Sequence, residues 1–188
     1  MDTDIITLKR MHKSFAGTNY LYFAAPGKIA SAILKFHQGH PFLNQSIHRA
    51  AQTYTGKVWG EIGPLLYTSM VNASCPVFVK RRDQLSVAQS RTILHCPGYM
   101  VLPQYLGFPL RTSQRHHFYE RSKNREVKNM IKKSATLHLF NSAFLKDKLP
   151  SEKEIQDLAS PLMQIRRDAC PIAYLSFLEA NSRSSKYT

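Results

Sequence analysis

Asp2 and Asp4 stand one residue apart at the head of an apolar run, Asp2-Thr3-Asp4-Ile5-Ile6-Thr7-Leu8. Side chains alternate along an extended chain, so two acids at this spacing point to one side. Together they offer hard oxygen ligands to a single divalent ion of the Mg2+ or Mn2+ kind. A nucleotide diphosphate would complete the coordination. The same tripeptide also suits a solvated turn or a pair of helix-capping acids. Its meaning therefore rests on the rest of the chain.

The elements that must position these acids follow an α/β pattern. Ile5 to Leu8 and Tyr20 to Ala24 are rich in β-branched and aromatic residues and read as strands. After Pro26 and Gly27, Ile29, Ile33 and Phe36 recur at helical spacing, which predicts a short helix ending near Gly39. Pro41 to Tyr54 and Leu65 to Ala73 read as two further helices, the second with Pro64 in its first turn. Strand-like pieces follow at Pro76 to Val79, Thr92 to Cys96 and Tyr99 to Leu102. Arg111 to Lys133 is a polar, basic loop or helix, Thr136 to Phe140 alternates like a strand, and Glu152 to Cys170 reads as a last amphipathic helix. One domain over residues 1–175 and a polar tail over 176–188 are expected.

Twenty-six Lys and Arg against twelve Asp and Glu leave a net charge of +14 across 188 residues, which favours anionic partners. That charge, with Phe118 and Tyr119 set among Arg, Lys and His, keeps a basic nucleic-acid-binding module as a second reading. Against it, no zinc-finger, helix-turn-helix or aromatic RNA-binding signature occurs. Cys75, Cys96 and Cys170 are too few for a disulfide scaffold and wrongly spaced for zinc. One disulfide with a free thiol suits a lumenal protein, and three thiols a cytosolic one. Two sequons, Asn44-Gln45-Ser46 and Asn72-Ala73-Ser74, fit a lumenal home. No signal peptide or apolar run near the length of a membrane span is visible. By itself that favours the cytosol, but the abrupt start of the apolar run suggests the carboxy-terminal portion of a longer protein.

Several segments, in order, carry a family resemblance. Asp2-Thr3-Asp4-Ile5-Ile6-Thr7-Leu8-Lys9 resembles the metal-binding strand of the α1,4-galactosyltransferase and α1,4-N-acetylglucosaminyltransferase family. Gly39-His40-Pro41-Phe42 is similar to its histidine-proline segment, and Trp59-Gly60-Glu61-Ile62-Gly63-Pro64-Leu65-Leu66-Tyr67-Thr68 to its Trp-Gly-x-x-Gly-Pro signature. Val101-Leu102-Pro103 and Phe108-Pro109-Leu110 resemble its paired proline segments. Ala135-Thr136-Leu137-His138-Leu139-Phe140-Asn141 looks like its late histidine strand, and Cys170-Pro171 with Tyr174 like its carboxy-terminal motif.

The resemblance implies an α/β, GT-A type glycosyltransferase fold, a mixed sheet with flanking helices, truncated so that the first nucleotide-binding strands are lacking. It implies retaining, Mn2+- or Mg2+-dependent transfer of galactose or an N-acetylhexosamine from a UDP-sugar to a glycosphingolipid or other glycan acceptor, on the lumenal side of the Golgi membrane and without nucleic acid. Asp2, Asp4 and His138 would hold the metal and the donor diphosphate. Trp59 and Gly63 would line the acceptor side, and Glu61 would be the catalytic carboxylate that binds the acceptor there. His40 reads as structural. Two positions depart from the family pattern: Phe140 stands where Trp is usual, and Ala30 where an Asn is expected in a helix. Without the strands that hold uridine, these residues alone are expected to form an inactive fragment.

Overall fold

The computed structural model describes residues 4–11, 13–81, 92–140 and 157–184. Asp2 therefore lies outside the described residues. The chain divides into two compact units, the first comprising Met1–Ile5 and Met11–Phe108 and the second Ile6–Arg10 and Pro109–Thr188.

Unit 1 is built on a four-stranded mixed sheet. Strands β2 (Tyr20–Ala25) and β3 (Lys28–Lys35) form an antiparallel hairpin around Pro26 and Gly27, with Gly27 at φ 67°. Strands β4 (Leu94–Cys96) and β5 (Tyr99–Leu102) form a second hairpin, turning through Gly98 at φ 80°. Pairing of β2 with β5 is parallel, which gives the order β3-β2-β5-β4. Both turn glycines occupy the left-handed region that side chains disfavour.

The helix expected after Gly27 is strand β3. Ile29, Ala30, Ala32 and Ile33 are all buried, so both faces of the strand are covered and the simple in–out alternation is lost. That double burial is what mimics helical spacing in the sequence. Ala30, expected in a helix, sits on this strand. The ladder is irregular between Phe23 and Ala25, and Ile29 N–H donates instead to Thr68 Oγ1 at 3.0 Å.

Helices α1 (Pro41–Thr53) and α2 (Pro64–Ser74) form where expected, each with proline in its first turn. Pro76 to Val79, expected as a strand, starts helix α3 (Pro76–Arg81). Proline favours the first helical turn, and the Cys75 carbonyl accepts from Phe78 and Val79 N–H. Phe78 is thereby buried and stacks on Phe23 at 6.1 Å. Leu21, Phe23, Ile29, Phe42, Leu66, Val71 and Val101 join it in the core, as does Cys75, which is disulfide-bonded to Cys96. On the opposite side of β2, Tyr22 packs edge-on to Phe108 at 6.0 Å. Burial pushes its phenol well above the ordinary tyrosine range. Helix α4 (Gln104–Gly107) ends in a glycine because a Cβ there would lie 2.8 Å from the Tyr22 ring.

A two-stranded sheet pairs β1 (Ile5–Thr7), of which Ile6 and Thr7 belong to unit 2, with β6 (Thr136–His138) of the same unit. Ile6 and Leu8 pack on a core of Leu110, Phe118, Val127, Leu137, Leu139, Leu162 and Ile165. The basic segment folds as short 3-10 turns at Thr112–Phe118 and Arg121–Lys123, followed by α5 (Asn124–Ile131). The last expected helix appears as α6 (Pro161–Ala169), and its expected start at Glu152 lies outside the described residues. Beyond Cys170, Pro171 opens a further helix, α7 (Pro171–Ser184), which takes up residues expected as a polar tail. A proline ends one helix and is well placed at the start of the next. Among the described residues no helix is long and apolar enough to cross a membrane.

Candidate functional site

Of the candidate metal residues, Asp4 belongs to unit 1 and His138 to unit 2. Asp4 lies in the turn immediately before β1, and His138 is the last residue of β6, the strand paired with β1. Register is held beyond the strands by Leu8 N–H, which donates to Ala135 O at 2.8 Å. His138 is half-buried, and its ring lies 4.2 Å from that of Phe140 at a 58° tilt. Phe140 itself has φ 56°, a left-handed conformation that is a genuine outlier for a bulky residue. Strain of this kind collects at functional sites. Among the described residues no group of three or more His, Cys, Asp or Glu is arranged to hold a metal ion. Asp2, the third expected ligand, is not among them.

The donor chemistry of Asp2, Asp4 and His138 suits such an ion nonetheless. Two carboxylates and an imidazole are ligands that Mn2+ accepts, with the hard oxygens preferred.

The residues expected on the acceptor side share one loop of unit 1, between α1 and α2. Trp59 stands 81% exposed on it. Glu61 is not a loose acid. Its carboxylate accepts from Thr55 Oγ1 at 2.6 Å, Thr55 N–H at 3.0 Å and Gly56 N–H at 2.8 Å. These donors, led by the Thr55 hydroxyl, hold the Glu61 carboxyl below the usual glutamate range. Gly63 caps α2, and a Cβ there would lie 3.2 Å from Ser31 Oγ. It lets the start of α2 approach β3 closely. Thr55 and Gly56 were not legible as partners of Glu61, because only the folded-back loop aims their donors at it.

His40 is structural, as expected. It is buried, and its Nδ1 accepts from Phe42 N–H at 3.1 Å at the start of α1. In the neutral ring Nε2 then carries the proton, which it donates to Gly98 O at 3.3 Å. The histidine thus ties α1 to the β4–β5 turn. Of the sequon asparagines, Asn44 is exposed on α1 and Asn72 half-buried on α2. Both sequon serines bond back into their helices, Ser46 to Phe42 O and Ser74 to Met70 O.

A family model described as the alpha 1,4-glycosyltransferase conserved region matches residues 35–177. The chain belongs to this family. Membership covers most of unit 1 and the strand that carries His138. Among curated proteins, the lactosylceramide 4-alpha-galactosyltransferase of Rattus norvegicus is 26% identical over 141 residues, which cover 75% of this chain and 36% of that protein. Human alpha-1,4-N-acetylglucosaminyltransferase is 26% identical over the same length, with 37% of it covered. The chain thus spans a little over a third of the length of these alpha 1,4-glycosyltransferase relatives. No solved structure matches. The mixed sheet with flanking helices expected from the sequence is present and is compatible with a glycosyltransferase domain.

Proposed function

We propose that the chain is the carboxy-terminal part of a glycosyltransferase catalytic domain that moves a hexose, galactose or an N-acetylhexosamine, from a UDP-sugar to a terminal sugar in α1,4 linkage with retention. The observation that carries this reading is the family match across residues 35–177. The two relatives' names, one a galactosyltransferase acting on lactosylceramide and one an N-acetylglucosaminyltransferase, support both donor classes and a glycolipid or glycan acceptor.

Asp2 and Asp4 precede β1 in the sequence, and His138 is the last residue of β6. These residues would hold Mn2+ or Mg2+ together with the donor diphosphate. A bound ion supplies Lewis-acid neutralisation of the charge that builds on the departing UDP. Phe140 backs the His138 ring and restricts its rotation. In unit 1, Glu61 acts as a positioning residue, an ionised carboxylate that shapes the acceptor-side loop by binding Thr55 and Gly56. Gly63 sets the entry into α2, and Trp59 offers an aromatic face to a sugar ring. The Cys75–Cys96 disulfide supports an oxidising compartment, the Golgi lumen in this reading.

The test is Mn2+-dependent binding of UDP, followed by calorimetry, together with transfer from UDP-galactose and UDP-N-acetylglucosamine to lactose-terminated acceptors. Asp4→Asn and His138→Ala should each weaken Mn2+-dependent UDP binding about tenfold or more, near 1.4 kcal/mol, with an unchanged circular dichroism spectrum. UDP binding indifferent both to Mn2+ and to these substitutions would remove the site. Absence of transfer from either donor by the protein in its longest expressed form would remove the activity.

A further inference from the structure

The loop between α1 and α2 turns its apolar side chains to solvent. Tyr54 is 59% exposed, Val58 55%, Trp59 81%, Ile62 56% and Leu65 51%, all within a dozen residues. Isolated exposed apolar residues are ordinary, whereas a run of this kind marks a contact surface.

The loop is held in one shape. Glu61 ties back Thr55 and Gly56, and Gly60 O accepts from both Gly63 N–H at 2.9 Å and Leu65 N–H at 3.0 Å. Gly56 and Gly60 take φ 71° and 80°, which side chains rarely adopt. The apolar groups are therefore presented by a built turn. Its charge is one-sided. Lys57 within the loop and Arg49 on α1 are exposed, and the loop's acid, Glu61, spends its carboxylate on internal donors.

We infer that this loop is a bilayer-contact element, whose crest enters the head-group layer of a membrane containing anionic lipid. Indole and phenol rings favour the water–hydrocarbon boundary, where an apolar body and a polar edge are both accommodated. Val58 and Ile62 add aliphatic surface beside Trp59. Lys57 reaches lipid phosphates while its stem lies along apolar surface. Anionic lipid complements a crest flanked by cations and without a free acid, and the overall charge of +14 draws the whole molecule towards a leaflet that carries such lipid. This contact goes beyond sugar transfer and does not depend on the donor or the metal.

Trp59 is the one tryptophan in the chain, so its fluorescence reports on this loop directly. The full chain is titrated with vesicles of phosphatidylcholine alone and of phosphatidylcholine with phosphatidylserine. Emission should shift to the blue and be quenched by brominated acyl chains with the anionic vesicles, and the effect should fall with added salt. A Val58→Ser, Ile62→Ser double variant, altered only at exposed side chains, should keep its circular dichroism spectrum and lose vesicle affinity about tenfold, near 1.4 kcal/mol. Lys57→Glu should weaken binding to the anionic vesicles in the same direction. Co-sedimentation with vesicles without any change at Trp59, or full affinity in the double variant, would overturn the inference. So would Trp59 emission that responds to soluble oligosaccharide and not to lipid, which would leave the loop as a sugar platform.

Discussion

Unit 1 ties its core with a covalent bond, while unit 2 ties the approach to its last helices with charges at its surface. In unit 1 the Cys75–Cys96 bridge sits among buried Phe78, Leu94 and Tyr99 and joins the α2–α3 junction to the sheet edge. In unit 2 Arg121 grips Asp157 through two nitrogens, with Nε–Oδ2 and Nη2–Oδ1 both 2.7 Å. Asp157 in turn accepts from Ala159 N–H, and Asn124 Nδ2 donates to Ala159 O, so the turn into α6 is set by side chains. Lys123 pairs with Glu126 at 2.9 Å close by. A bridge inside a core is indifferent to salt and pH but depends on redox state. Exposed ion pairs show the reverse.

The largest expected effect breaks the comparison on the covalent side. Replacing Cys75 and Cys96 by serine opens a bridge with a sequence separation of 21 and should cost about 3 kcal/mol. Hydrogen exchange should locate the loss in β4, β5 and α2, with β6 and α5 little changed. Equal loss of protection in both units would show that they unfold together, and the contrast would fall.

A smaller effect tests how unit 2 starts α6. Ser160 is buried and its Oγ accepts from Met163 N–H at 3.4 Å, a long capping bond. Ser160→Ala should therefore lower stability by roughly 0.5–1 kcal/mol, read from urea unfolding followed by circular dichroism. Hydrogen bonds from Arg121, and beside them its charge, keep the Asp157 carboxyl below the usual aspartate range. Lys123 does the same for Glu126. Folded-state values below the unfolded ones mean stability present above the ordinary carboxylate range and lost as pH falls through the folded values. High salt should thus loosen unit 2 before unit 1, and mild acid should loosen the turn into α6 and the Glu61 loop of unit 1 while the disulfide-tied core holds, by less than either substitution. Exchange protection, taken relative to the intrinsic rate at each pH, in α5, α6 and the β2–β5 core at pH 7 and below pH 4 checks this, and the core losing protection first would invert the expectation.

Much of the fold was legible because punctuation and periodicity agreed. Pro41 and Pro64 mark helix starts, and both helices form there. β3 was misread because Ile29 and Ile33 are buried on a strand covered on both faces, where period two disappears. Pro76 to Val79 was misread because β-branched valines outweighed a proline that favours a first turn. The pairing of Cys75 with Cys96, and Cys170 left free and exposed, could not be chosen from three cysteines by spacing alone. For the site, residue types were readable and their engagement was not. Trp59 proved open, whereas Glu61 proved occupied by its own loop, a fact decided by a turn that brings Thr55 and Gly56 back towards it.

The parallel pairing of β2 with β5 also has a consequence in time. Tyr20 pairs with Met100, about eighty residues later in the chain. At ribosomal speeds of roughly 5–20 residues per second, β2 waits on the order of 4–16 s for its neighbour. During that interval the β2–β3 hairpin has an open edge next to Leu21 and Phe23, both fully buried once the sheet is complete. Nascent chains of this protein thus pass through a window in which a chaperone has a definite strand to guard.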